Sequence, residues 1–222
     1  MKVFNFREVY PGLASIFRSQ TEERRSGGVD ALWSFYNTRI HESEALSVFR
    51  GGRVVADLLS LKQEALRIVD LGDGIPCVPV LPGVSVRTMA AVLKCDFDGS
   101  RRDDIFEGFN DQVSTPNRPY LLGGVEVCWC LDQESAVSPE SGREHLAREE
   151  KTGHTFLEGL WLAFFFREIL DFGFMDFGES ITADGQIPHL FKFNGRLILG
   201  KAPVDRAHFL WGLPTCRMRL TS

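Results

Sequence analysis

Ile187-Pro188-His189-Leu190-Phe191-Lys192-Phe193-Asn194-Gly195-Arg196-Leu197-Ile198-Leu199 carries the strongest fold signal in the chain. Two short, mainly apolar runs flank Asn194-Gly195. A tight two-residue hairpin turn needs positive φ at both central positions, and Asn followed by Gly tolerates that best. The spacing therefore predicts two antiparallel strands. Gly173, Gly178, Gly185, Gly200 and Gly212 cut the surrounding residues into similar short runs. Beyond Phe172 the pattern suits an antiparallel meander.

Further strands are expected upstream. From Tyr120 to Leu131, Val125, Val127 and Trp129 alternate with Glu126, Cys128 and Cys130, the period of a strand. Ile75 to Leu81 is apolar but interrupted by Pro76 and Pro79, with Pro82 behind them. Proline donates nothing to a ladder, so this reads as an edge strand or the start of a buried one. Cys95 to Pro119, rich in Asp, Gly, Asn and Pro, reads as largely loop, pinned to the body by Ile105, Phe106 and Phe109.

The first third reads as helical. Val29, Leu32, Trp33, Tyr36 and Ile40 recur three and four residues apart and share one helix face, with Ser26-Gly27-Gly28 as a start. Glu42 to Phe49 continues this helix or forms a second, and Gly51-Gly52 breaks it. Ala56 to Val69 reads as another amphipathic helix, ended by Leu71-Gly72-Asp73-Gly74. Ser85 caps a short helix through Leu93, and Ser138-Pro139-Glu140 opens a polar one over Ser141–Lys151. Thr155, or the residue before it, opens a strongly apolar helix through Leu170. Together these predict one α+β domain over residues 1–222. N-terminal helices (about 1–74) would pack on a mixed or mainly antiparallel sheet (about 75–222), with a central apolar helix near 156–170.

Bulk chemistry narrows the classes. The chain has 18 Phe but 3 Tyr, so most of its rings carry no polar atom and belong in a core. A net charge of −5, with Arg24–Arg25 and Arg101–Arg102 set among acidic neighbours, speaks against nucleic acid as a partner. The most apolar run, Gly159 to Phe166, is less than half a membrane span, so no membrane association is expected. Five cysteines without an export signal suit reduced thiols and a cytoplasmic location. No GxxxxGK[ST], GxGxxG or GxSxG motif is present, and no cofactor is indicated.

One series of features runs in order along the chain: the proline-rich run Pro76–Pro82, Arg118-Pro119-Tyr120-Leu121-Leu122, and Thr155-Phe156-Leu157-Glu158-Gly159. Ile187-Pro188 and Trp211-Gly212-Leu213-Pro214-Thr215-Cys216-Arg217-Met218-Arg219 complete it. From Pro79 onward this order resembles an uncharacterised bacterial family, a domain of unknown function with a Trp-Gly-x-x-small-Cys tail. The resemblance spans about two-thirds of the chain and implies one continuous α+β domain, without assigning catalytic residues.

Three constellations carry possible chemistry. His154 and Glu158, four apart at the start of the apolar helix, converge on one face as two metal ligands or as a base and its orienter. The structural alternative is a carboxylate favoured by the helix dipole beside a surface histidine; His145 and Glu149 repeat the spacing. Cys128-Trp129-Cys130 places two thiols on one strand face, which is a redox or zinc pair or inert half-buried thiols. Cys216, with His208 upstream and Arg217 beside it, is a candidate nucleophile whose pKa a nearby cation would lower. Asp96-Phe97-Asp98-Gly99-Ser100 with Glu107 evokes a calcium loop, but Arg101 occupies the position that needs glycine. The preferred expectation is a non-catalytic cytoplasmic protein that binds a protein partner or small ligand, with Glu126, His154 and Glu158 as binding residues. The alternative is a thiol- or metal-dependent hydrolase using Cys216 with His208, or His154 with Glu158.

Overall fold

The computed structural model describes residues 6–12, 22–47, 53–68, 74–99, 102–129, 138–206 and 211–221. Helices α1 (Phe6–Val9), α2 (Glu22–Glu42), α3 (Glu44–Ser47), α4 (Arg53–Ser60) and α5 (Lys62–Ala65) come first. They are followed by β1 (Ile75–Val80), α6 (Val86–Val92), β2 (Asp96–Phe97), α7 (Arg102–Phe106), β3 (Asn110–Asp111) and β4 (Tyr120–Trp129). Next are α8 (Pro139–Arg148), β5 (Thr152–Gly153), α9 (Phe156–Phe165), β6 (Phe174–Asp176) and β7 (Ser180–Ile181). The chain closes with β8 (Gln186–Phe193), β9 (Arg196–Pro203), β10 (Trp211–Cys216) and β11 (Met218–Thr221). The fold is α+β.

The hairpin forms as its turn demands. Phe193 pairs with Arg196, and Asn194 and Gly195 take φ of 48° and 78°. A nine-stranded mixed sheet grows around it in the order β1-β4-β10-β6-β8-β9-β2, with β11 also on β4 and β5 also on β10. Two pairings are parallel, β10 with β6 and β2 with β9. β10 and β11 keep one offset against β4, from Gly212 opposite Trp129 to Thr221 opposite Tyr120. β3 and β7 form a separate two-stranded ribbon.

β1 is an edge strand, yet all six of its residues are buried. An edge position tolerates proline, and helix α2 covers the strand: the Tyr36 hydroxyl donates to the Cys77 carbonyl. On the same α2 face Val29, Leu32, Trp33, Tyr36 and Ile40 are all buried, and the Trp33 indole N–H donates to Leu58 O at 2.9 Å. α9 runs through the middle. Its Phe165 ring lies 4.5 Å from Tyr36, while Phe156 meets Phe106, Phe109 and Phe177. One continuous core holds both sets, from Phe6 and Tyr36 to Leu199 and Cys216. Burying each such aliphatic or aromatic side chain contributes roughly 1.5–3 kcal/mol.

Several element boundaries differ from the sequence reading. α2 starts at Glu22 and runs through Ser26-Gly27-Gly28. A glycine costs a helix only about 1 kcal/mol, and Gly28 already belongs to the buried face. The single helix expected from Ala56 starts earlier, at Arg53, and divides at Leu61 into α4 and α5. There the Ser60 hydroxyl donates to Asp57 O at 2.8 Å, and Leu61 N–H reaches only to Leu58 O, both of which loosen the α-ladder. α9 ends at Phe165 and gives way to a 3-10 turn over Arg167–Asp171, not a helix to Leu170. Phe166 leaves helical geometry with φ −128° and ψ 61° and packs its ring on Phe6, Tyr10 and Phe35. The expected loop from Cys95 to Pro119 contains β2, α7 and β3, because sheet edges and Phe156 give it partners. Asp96 thereby lies in a strand and pairs with Arg196, not in an ion-binding loop. The expected stops at Gly51-Gly52 and Leu71–Asp73 fall outside the described residues.

Ser85 and Ser138 cap α6 and α8 as expected, accepting from Thr88 N–H and Ser141 N–H. No helix among the described residues is long and apolar enough to cross a membrane.

Candidate functional site

Thr155 is the N-cap of α9, and Glu158 is the third residue inside it. Thr155 N–H donates to Glu158 Oε2 at 2.8 Å, and Glu158 N–H reaches back to Thr155 Oγ1 at 3.5 Å. This reciprocal capping box satisfies two donors that a helix start leaves over. It also turns the Glu158 carboxylate toward the sheet. β5, just upstream, pairs with β10 so that Cys216 faces Thr152 and Thr215 faces Gly153. Continuing into β11, the chain delivers Arg219 to the same place.

The Arg219 guanidinium spends all its nitrogens there. Nε donates to Glu158 Oε1 at 2.7 Å and Nη2 to Glu158 Oε2 at 2.9 Å, a bidentate fork. Nη1 donates to Thr152 Oγ1 at 2.7 Å, and Nη2 also to Gly153 O at 2.9 Å. From β4 the Tyr120 hydroxyl donates to Glu158 Oε1 at 2.9 Å. Glu158 is 0% exposed and receives four donors. Burial alone would raise its pKa. The Arg219 hydrogen bonds and charge, with lesser help from His154 and the Thr155 N–H, outweigh burial and hold the carboxyl below its ordinary value. Tyr120 is pushed upward, by burial first and then by the adjacent carboxylate.

His154 is fully buried beside this pair, which corrects the expectation of a surface histidine. Among the described residues neither ring nitrogen makes a hydrogen bond of good geometry, although the Thr215 backbone lies close enough to act on the ring. Burial drops its pKa to about 4, with Arg219 pushing the same way, while Glu158 and the Thr215 backbone pull upward. Its backbone is tied on both sides, N–H to Pro214 O at 2.9 Å and C=O from Glu179 N–H at 3.2 Å. Burial likewise raises the Cys216 thiol to about 11; Arg219 and the Thr152 hydroxyl, 3.6 Å from Sγ, lower it, and Glu158 and Glu179 add to the rise. The cation that reaches Cys216 is thus Arg219, and burial is the stronger influence.

Glu126 stands one strand away, opposite Thr215, and is partly exposed. It meets Lys151 Nζ at 3.0 Å and Arg217 Nη2 at 3.7 Å. The structure therefore gathers His154, Glu158 and Cys216 and leaves Glu126 in a neighbouring ion pair. His145 and Glu149 form an exposed pair at 3.2 Å. His208 and Cys130 fall outside the described residues, as does the Cys128 side chain. Among the described residues no group of three His, Cys, Asp or Glu is placed to hold a metal ion.

No family model, curated protein or solved structure matches the chain. The site is accordingly read from its own chemistry. Arg219 and Tyr120 are the members that sequence reasoning passed over. Nothing around Tyr120 marks it, and Arg219 is one of two arginines flanking Met218. Only the pairing of β11 with β4 distinguishes it from Arg217, whose side chain is half exposed.

Proposed function

We propose that this chain is a non-catalytic cytoplasmic protein that binds a small ligand, and that the Glu158 cluster is a structural latch joining α9 to β4, β5 and β11. The observation that carries this reading is the saturation of Glu158. A carboxylate offers about four lone-pair sites, and all are taken by Arg219, Tyr120 and the Thr155 N–H. A carboxylate so occupied has nothing left for a metal ion or a substrate proton. The thiol points the same way. With its pKa pushed up to about 11, Cys216 holds roughly 100-fold less thiolate at neutral pH than a free cysteine. A nucleophile needs the opposite shift.

The test combines two measurements on the purified chain. Iodoacetamide labelling at neutral pH, mapped to Cys216 by peptide mass spectrometry, should run at least ~100-fold slower in the folded than in the unfolded protein. Elemental analysis should find no stoichiometric metal. Rapid labelling of Cys216, or one equivalent of metal lost on His154→Leu, would reinstate the hydrolase reading.

A further inference from the structure

The two faces of the sheet are furnished differently. Met175, Phe177, Leu190, Leu197 and Leu199 belong to the core. Asp176 and His189 are opposite one another across β6 and β8. Because successive strand residues alternate between faces, both lie on the side turned away from that core. Asp176 is 1% exposed, and among the described residues neither carboxylate oxygen has a hydrogen-bond partner. Burial pushes its carboxyl well above the ordinary aspartate value.

Three rings gather on the same face of β6 and β8. Phe174 and Phe191 stack with centroids 4.4 Å apart, and the His189 ring lies 6.1 Å from the first and 5.8 Å from the second. Both phenylalanines are only partly buried, so the shelf reaches solvent while the carboxyl lies inside. Gly200, opposite His189 on β9, makes room for the His189 ring itself. A Cβ there would fall 2.6 Å from His189 Nε2.

The fold has no visible need for this carboxyl. A buried polar group without a partner costs about 1–3 kcal/mol, and an isosteric apolar side chain would avoid that cost. Such groups persist where they serve a ligand. The surroundings indicate which ligand. A carboxylate in a dry setting calls for a cation, and aromatic faces attract organic cations in particular. A metal ion would need more protein ligands than one carboxylate and one imidazole.

We propose that Asp176, with His189 and the Phe174–Phe191 shelf, forms the binding site for a small organic cation, a protonated amine on an apolar body, whose ammonium group supplies the partner that the carboxyl lacks. This rests on the reading of the chain as a ligand-binding protein and names the ligand class.

The full chain, carboxyl-labelled with carbon-13 at aspartate, is titrated at neutral pH with benzylamine and, separately, with its uncharged isostere benzyl alcohol. Benzylamine at millimolar concentration should move the Asp176 carboxyl resonance saturably to its ionised position. Benzyl alcohol should not, and Asp176→Asn should abolish the response to the amine. Asp176→Leu should unfold at higher urea concentration than the wild type. An Asp176 resonance unmoved by benzylamine overturns the site, and so does an Asp176→Leu chain less stable than the wild type. Equal binding of amine and alcohol overturns the cation assignment while leaving a small-ligand protein standing.

Discussion

Replacing Arg219 by methionine tests the latch at its centre. The substitution keeps an unbranched apolar stem and removes two of the four donors to Glu158. The two side chains are 13% and 0% exposed, so solvent screening offers little relief. Breaking a buried pair from one side costs about 3–5 kcal/mol, because the remaining charge stays in the interior. For a chain of this size that corresponds to a melting temperature lower by roughly 6–20 °C. Urea unfolding followed by circular dichroism at neutral pH provides the measurement. Glu158→Gln in the Arg219→Met background removes the stranded charge and should recover most of the loss, with a coupling energy of at least ~2 kcal/mol. The pH dependence has a definite sign. In the wild type Glu158 has a depressed pKa, so its stabilisation is present above the unfolded value of ~4.3 and disappears as pH falls through the lower folded value. In Arg219→Met burial dominates and raises the carboxyl instead. The variant is then penalised at neutral pH and relieved as Glu158 takes up a proton. The gap between the two proteins should therefore narrow toward acid. A loss below ~1 kcal/mol, the range of an exposed ion pair, or a gap indifferent to pH would refute the reasoning.

Two other perturbations follow from the same packing. His154 titrates near 4 when folded against ~6.5 unfolded, so the unfolded chain binds the proton first and stability falls as pH drops across that window, by roughly 3 kcal/mol. His154→Leu should flatten that part of the stability–pH curve, and an unchanged slope would exclude His154 as its source. Gly159→Ala would ordinarily favour a helix by about 1 kcal/mol. Here a Cβ would stand 2.0 Å from Phe177 Cε1. The change should instead cost more than ~2 kcal/mol in urea unfolding, and a gain in stability would show that the contact of α9 with Phe177 yields easily.

Much of the fold was legible because its signals are local. The Asn194-Gly195 turn, the Ser85, Ser138 and Thr155 caps, and the spacing of Val29, Leu32, Trp33, Tyr36 and Ile40 each depend on residues a few positions apart. Where local signals misled, tertiary contacts had intervened. Phe166 gave up helical geometry to join a ring cluster, and Gly27-Gly28 stayed helical because two glycines cost a helix only about 2 kcal/mol.

Sequence alone thus determined the α+β class, the hairpin and the start of α9. It also placed His154 and Cys216 among the residues to watch. Only the tertiary structure decided what those residues became. Arg219 lies 61 positions from Glu158 and Tyr120 lies 38 away, and neither separation has a periodicity to betray it. They meet because β10 and β11 keep one register along β4 and β5 adds to the far edge. Burial, a property of the assembled interior, then set the charges: it kept His154 neutral, held the Cys216 thiol protonated and pushed the Asp176 carboxyl upward.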